Sequence, residues 1–300
     1  MKSAVFATLA TAILGVSAAP AAPAKRATSA IDDTTVLNFA LTLEHLENAF
    51  YSGALAKFSE ADFASAGMPA YSHGRFVEIG QHEAAHVKFL SAALGANATQ
   101  PCNYTFPYTD PKSFAALSMT LEGVGVSAYT GAAQYITSKA YLTAAASVLS
   151  TEARHASWVA GVVDKQAPWS GPFDVPLGLD SVYSLAAAFI TSCPSSNPVL
   201  PVKAFPTLAF PASAAPGAKV TLTFDQGNST GTLYAAFYTG TGAEYAKIDA
   251  SDKSVTIPKD LVGTVYAVVT TNGTMSADTN TVAGVAVLDF SFDSNGKLLA

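Results

Sequence analysis

Apolar positions along the first part of the chain recur at helical spacing, whereas those of the last part alternate at the spacing of strands. Over residues 33–56 the stripe includes Leu37, Ala40 and Leu41, and Asp32 or Asp33 supplies an N-cap, which predicts a first helix. A second predicted helix follows Met68-Pro69 and stops at Gly95. The third opens with Asp110-Pro111, an N-cap and a proline whose missing N–H costs nothing at the first helical position, and continues to about residue 137. After a break at Ser138 a fourth covers about 140–166, ended by Pro168. Asp180 is a candidate cap for a shorter fifth helix over 180–192.

The connection 95–109 between the second and third helices is rich in Pro, Asn, Tyr and Thr. Fully extended, its roughly 15 residues reach ~50 Å, while a helix of ~26 residues is ~39 Å long. That connection can therefore return along the whole bundle. Two antiparallel helix pairs joined by one long crossover is the ferritin-like arrangement of four helices. Residues 193–216 are dense in proline and read as a linker. Beyond them, short alternating segments such as 220–224, 265–269 and 282–290 are separated by Gly, Asn and Asp turns, predicting a small β-sandwich over 217–292. The expected class is a multi-domain α and β chain, with the helical bundle over 27–192.

Charge changes this picture by its scarcity. Only 13% of the 300 residues are charged, the formal net charge is -6 and there is no basic run, so nucleic acid and anionic membranes are not expected partners. At the N-terminus, Lys2, an apolar run and the small-residue site Val16-Ser17-Ala18 predict a signal peptide over 1–18. Lys25-Arg26 then closes a propeptide over 19–26. A secreted protein, extracellular or in the cell wall, agrees with the single pair of cysteines, Cys102 and Cys193, read as one disulfide. It also agrees with four N-glycosylation sequons, at Asn97, Asn103, Asn228 and Asn272.

The chain has eight Glu and five His, and seven of those Glu and all five His precede residue 160. Glu83-Ala-Ala-His86 and Glu152-Ala-Arg-His155 each set a carboxylate and an imidazole on one helical face. The first and third helices each carry a Glu with a Tyr seven residues on, Glu44 with Tyr51 and Glu122 with Tyr129. Seven residues is close to two turns, so each Tyr stands on the stripe of its Glu. All four Glu fall near the middle of their predicted helices, and in an antiparallel bundle the midpoints share one height. Burying them un-neutralised would cost many kcal/mol. Two divalent cations bridged by carboxylates remove that cost, and one Glu from each of two helices with Glu-x-x-His from the other two is the di-iron or di-manganese pattern.

At these residues the chain resembles the ferritin-like family, most closely its secreted fungal branch, the late-sexual-development and stress-response proteins related to plant desiccation-related proteins. The resemblance spans about 34–191 and is especially close over LTLEHLENAFY at 41–51. It implies that Glu44, Glu83, His86, Glu122, Glu152 and His155 are metal ligands, with Glu83 and Glu152 at or near the bridging positions. It implies no named reaction and no catalytic residue.

Other readings stay open at single positions. Glu47, three residues from Glu44, is an alternative ligand or a neighbour of the site; the tyrosine spacing favours Glu44. Tyr51 and Tyr129 are either core aromatics or hydrogen-bond donors to the ligands. Gly123 and Gly125 permit a π-bulge or a close helix approach. His45 and His73 read as surface residues. His82-Glu83-x-x-His86 fits H-E-x-x-H, in which His82 and His86 would bind zinc and Glu83 act as base in a metallopeptidase. That motif leaves Glu152, His155 and Glu44 unused, and in the ferritin-like reading His82 sits beside the site.

A carboxylate-rich set with two imidazoles suits Fe or Mn better than Zn and can leave positions for dioxygen or peroxide. The expected function is redox chemistry on a small oxidant in stress or development, as a di-iron oxidase or a di-manganese catalase-like enzyme. The alternative is a non-catalytic extracellular metal-binding protein. A closed ferritin cage is not expected, because an appended β-domain and glycans obstruct its repeated contacts.

Overall fold

Each long helix but one begins where the sequence offers a side-chain cap. In the computed structural model, which describes residues 31–299, α1 (Asp33–Lys57) is capped by Asp32, whose carboxylate accepts from the Thr35 N–H at 2.8 Å. α4 (Pro111–Ala132) is capped by Asp110 with Pro111 in its first turn, and α5 (Lys139–Trp158) by Ser138. α3 (Ser72–Leu94) follows Tyr71 without a side-chain cap and stops at Gly95, which adopts a positive φ of 56°. The signal peptide and propeptide expected at 1–18 and 19–26 lie outside the described residues.

α1 packs along α3 and α4 along α5. The Asp33 carboxylate reaches the far side of the bundle, accepting from the backbone N–H groups of Thr137 and Ser138 at 2.7 and 2.9 Å. This places the start of α1 at the end of α4, so these two helices run antiparallel. The crossover does return along the bundle. Its strand β1 (Asn103–Tyr104) pairs with β2 (Ile190–Ser192), Cys102 is bonded to Cys193, and Phe106 and Tyr108 pack edge-on against Phe50.

The helices differ from expectation in their number, caps and ends. A short helix, α2 (Glu60–Ser65), lies between the first two long ones, opened by a Ser59–Asp62 capping box. The third helix stops at Ala132, passing through a 3-10 turn at Ala133–Tyr135 before Asp33 captures the backbone at Thr137. The fourth continues past Trp158 only as a π-helical turn, Val159–Asp164. The fifth, α6 (Leu179–Ala187), is not capped by Asp180: Gly178 is the N-cap, and Asp278 from the β-domain accepts from the Asp180 N–H (2.8 Å) and the Ser181 hydroxyl (2.7 Å). A side chain at 178 would strike that carboxylate, since a Cβ there would lie 2.4 Å from Asp278 Oδ2. α6 also ends before Ser192, where the chain pairs as β2.

The C-terminal part is a small antiparallel β-domain. Strands β6 (Tyr234–Thr239), β7 (Gly242–Lys247), β9 (Gly263–Thr270) and β10 (Thr281–Phe290) form one sheet in the order β10-β9-β6-β7. Two short ladders face it: β3 (Leu208–Ala209) with β5 (Thr223–Phe224), and β4 (Lys219–Thr221) with β8 (Ser254–Thr256). β3 lies inside the proline-dense stretch 193–216, so that stretch already contributes to the domain.

The alternation of β9 explains how the two domains meet. Val265, Ala267 and Val269 enter the sandwich core, while Tyr266 joins the bundle core with Tyr238, Val285 and Val287 packed against it. The sheet is therefore a middle layer, covered by helices on one face and short ladders on the other. The Tyr266 hydroxyl accepts from Ser127 of α4 at 3.3 Å.

Candidate metal centre

The antiparallel run of α1 beside α4 changes the meaning of the seven-residue Glu–Tyr spacing. Two equal spacings on opposed helices overlap head to tail, so each tyrosine meets the other helix's carboxylate. Tyr51 of α1 donates to Glu122 of α4, and Tyr129 of α4 donates to Glu44 of α1. Ser118, one turn before Glu122, lies 2.7 Å from the Tyr51 hydroxyl. The sequence signal for that hydroxyl is its four-residue spacing to Glu122, about one helical turn.

Glu44, Glu83, Glu122 and Glu152 are all essentially without solvent exposure, and His155 is buried beside them. Their donor atoms form two interlocking groups: Glu44, Glu83, His86 and Glu152, and Glu83, Glu122, Glu152 and His155, each with its atoms within 4.8 Å of one another. Glu83 and Glu152 belong to both, which is what a bridging position requires. His86 Nδ1 lies 3.0 Å from Glu83, 3.2 Å from Glu44 and 3.4 Å from Glu152. His155 Nδ1 lies 3.0 Å from Glu122 and 3.4 Å from Glu83.

These residues fit a pair of cations. Glu83 Oε1 and both oxygens of Glu152 are buried with no hydrogen-bond partner, and such orphaned carboxylate oxygens are costly unless something positive meets them. The terminal carboxylates differ from the shared ones: Glu44 and Glu122 each have one oxygen held by a tyrosine, which orients the other. The clusters can thus hold metal ions, with Glu83 and Glu152 between two positions.

Proton affinities show the same imbalance. Burial and the neighbouring carboxylates push Glu83 and Glu152 well above the ordinary range. Burial raises Glu122 to about 8 despite the Tyr51 hydrogen bond. For His86 burial opposes the charge, but the carboxylates of Glu152, Glu44 and Glu83 gathered round its Nδ1 outweigh it and lift the imidazole to about 12. His155 moves the other way, lowered by burial and by the charge of His86. Without metal, protons hold this cluster together; metal takes their place.

The remaining expectations sort by position. Glu47 is buried but belongs to neither group. It shares with Glu152 the space over Gly125, where an added Cβ would come 2.7 Å from Glu152 Oε2 and 3.2 Å from Glu47 Oε1. Gly125 therefore makes room for carboxylates, and α4 stays α-helical around it. Burial and the charges of Glu152 and Glu44 hold the Glu47 carboxyl well above its usual range.

His82 joins neither group; its Nδ1 lies 2.9 Å from Nε2 of His155, with the two rings stacked. His45 is not a surface residue: it is buried, and its Nε2 meets the Thr99 carbonyl at 3.1 Å, anchoring the crossover together with Asn38. His73 is partly buried against Phe63. Of the sequon asparagines, Asn97, Asn103 and Asn228 are exposed, while Asn272 is half-buried with its side-chain oxygen accepting from Thr274 and Met275. Among the described residues no helix is long and apolar enough to cross a membrane.

Comparison with known proteins points to the same part of the chain. Residues 32–165 match the family described as Ferritin-like domain. A Schizosaccharomyces pombe protein, Protein rds1, is 28% identical over 176 residues, which cover 59% of this chain and 44% of that protein. The chain thus spans less than half the length of this relative. Its N-terminal helices form a ferritin-like domain that carries the Glu/His clusters, followed by a separate β-domain.

Proposed function

We propose that the protein is a secreted metalloprotein whose bundle holds two Fe or Mn ions and reacts with dioxygen or peroxide, serving in stress or development. The observation that carries this reading is the sharing of Glu83 and Glu152 by two Glu/His groups, together with their orphaned oxygens. When bound, the ions would supply redox and Lewis-acid chemistry toward a small oxidant. Glu44, His86, Glu122 and His155 would hold them at the two ends, and Glu83 and Glu152 would join them. Tyr51 and Tyr129 hold the terminal carboxylates by their hydroxyls, and the four glutamates are buried from solvent. The disulfide and the exposed sequons support secretion.

Elemental analysis of protein from its native secretion, followed by oxygen and peroxide consumption, tests this. About two equivalents of Fe or Mn with turnover of either oxidant is expected. Stoichiometric Zn with less than about half an equivalent of Fe or Mn would sink the redox reading. A second reading, metal held without turnover, is favoured by the same orphaned oxygens, since an ion there stabilises the fold whether or not it reacts. Metal content without oxidant consumption would select it. The zinc metallopeptidase reading has no such support, because His82 is engaged with His155 rather than grouped with His86.

A further inference from the structure

His82 is singled out by its H-E-x-x-H spacing, yet the two Glu/His groups do not include it. It is exposed on α3, one residue before Glu83, and its ring reaches across to His155 of α5. His82 Nδ1 stands 2.9 Å from His155 Nε2, a distance at which one nitrogen donates and the other accepts. The ring planes are within 12° of parallel and the ring centroids are 5.1 Å apart. The nitrogen separation and the two short spans from nitrogen to ring centre together make up nearly all of that distance. Centre, nitrogen, nitrogen and centre therefore lie close to one line, and the hydrogen bond runs close to the plane of both rings, where imidazole N–H bonds and lone pairs point.

The other edge of His155 decides the direction of that bond. Its Nδ1 is the atom turned to the carboxylates, 3.0 Å from Glu122 and 3.4 Å from Glu83. A ring nitrogen holds a cation by its lone pair, so a His155 that binds through Nδ1 carries its proton on Nε2. Nε2–H then donates to His82 Nδ1, and His82 keeps its own proton on Nε2. One contact thus sets the proton position of both rings. His86 differs: it too meets the carboxylates through Nδ1, but among the described residues its Nε2 has no such acceptor.

We propose that His82 is a positioning residue for one of the two ion positions: by accepting the Nε2–H of His155, it holds the lone pair of His155 Nδ1 toward Glu83 and Glu122. That a metal ion meets this lone pair rests on the function proposed above; the contact between the rings does not. Ligand imidazoles commonly pass this proton to a carboxylate, a backbone carbonyl or water. Here the acceptor is a second imidazole on the outside of the bundle. The ion position served by His155 is therefore steered from the protein surface, and the one served by His86 is not.

The contact is read by NMR of the full chain, labelled with 15N-histidine and loaded with Zn2+ as a diamagnetic probe. A nitrogen–nitrogen coupling across the bond is expected, with the proton attached to His155 Nε2. Absence of the coupling, or a proton on His82 Nδ1, overturns the proposal. Calorimetric titration with Zn2+ reads the consequence. His82→Leu, which removes the acceptor, is expected to weaken one ion about tenfold or more and to leave the other as in the parent. His82→Asn, whose Oδ1 can stand where Nδ1 stood, is expected to restore binding to within about threefold of the parent. Unchanged binding in His82→Leu, or equal weakening in both variants, overturns the positioning role. Position 82 is exposed, so both variants are expected to fold, and the coupling in the parent decides the matter if one does not. A parent that takes up no metal would defeat the metal centre separately; in that metal-free protein a proton on His155 Nε2 still supports the assigned contact, and one on His82 Nδ1 still overturns it.

Discussion

Among the described residues, the bundle interior buries Glu44, Glu47, Glu83, Glu122, Glu152 and His155, whereas the sandwich core of the β-domain buries only Ser254 and Thr270 as polar groups. The β-domain is stabilised by apolar burial, its own hydrogen-bonded ladders and the packing of one sheet face on the helices, without a buried ionisable cluster among the described residues. The bundle accepts a buried cluster of ionisable groups whose cost is offset only when cations or protons occupy it. One half of the molecule is thus conditional on a ligand, and the other is not.

The largest break in this contrast should come from the shared carboxylates. Glu83→Ala or Glu152→Ala removes a member of both groups and should abolish binding of both ions, whereas Glu44→Ala should spare the position served by Glu122 and His155; elemental analysis of the purified variants reads the difference. An unchanged metal content in Glu83→Ala and Glu152→Ala would show the ligand set to be wrong. Stability should follow pH in the same half. Glu122 is raised from 4.5 to about 8 and His86 from 6.5 to about 12, so the folded metal-free bundle prefers their protonated forms. That stability is fully present below pH 4.5 and is lost as pH rises toward 8 for Glu122 and further for His86. Thermal melts of chelated protein should therefore show the bundle transition falling with pH, with the slope removed by metal.

Replacing both Cys102 and Cys193 by Ser should cost about 2–5 kcal/mol, read as a shift of the bundle's denaturation midpoint. Gly125→Ala should cost about 1–3 kcal/mol through contact with Glu152 and should also weaken metal binding, which calorimetric titration would detect. The smallest effect is expected at the seam. Tyr266→Phe loses the bond from Ser127, about 1 kcal/mol, with metal content unchanged. A loss of metal in that variant would mean the β-domain helps to set the geometry of α4.

The parts of this arrangement that sequence reveals are the periodic ones. Helix midpoints and the two Glu-x-x-His pairs locate the cluster, because spacing within a helix translates directly into height and face. The crossing of Tyr51 to Glu122 and Tyr129 to Glu44 is not visible within either helix, since it depends on the antiparallel register between them. The burial of His45 depends on a crossover backbone that no periodicity places. Asp278 replaces Asp180 at the start of α6 for the same reason: the cap arrives from another domain, nearly a hundred residues later. α2 does carry a sequence signal, because Ser59 and Asp62 spell a capping box.

The disulfide also divides the ligand set. It closes residues 102–193 into a covalent ring that carries Glu122, Glu152 and His155, and leaves Glu44, Glu83 and His86 on the open arm before it. Each metal-binding group draws on both segments. Bound ions would therefore be a second, reversible crosslink, clasping the arm to the ring. Reduction of the bond and removal of metal would then loosen different joints of one chain: after chelation alone, the arm could detach while α4, α5 and α6 remained in their closed loop.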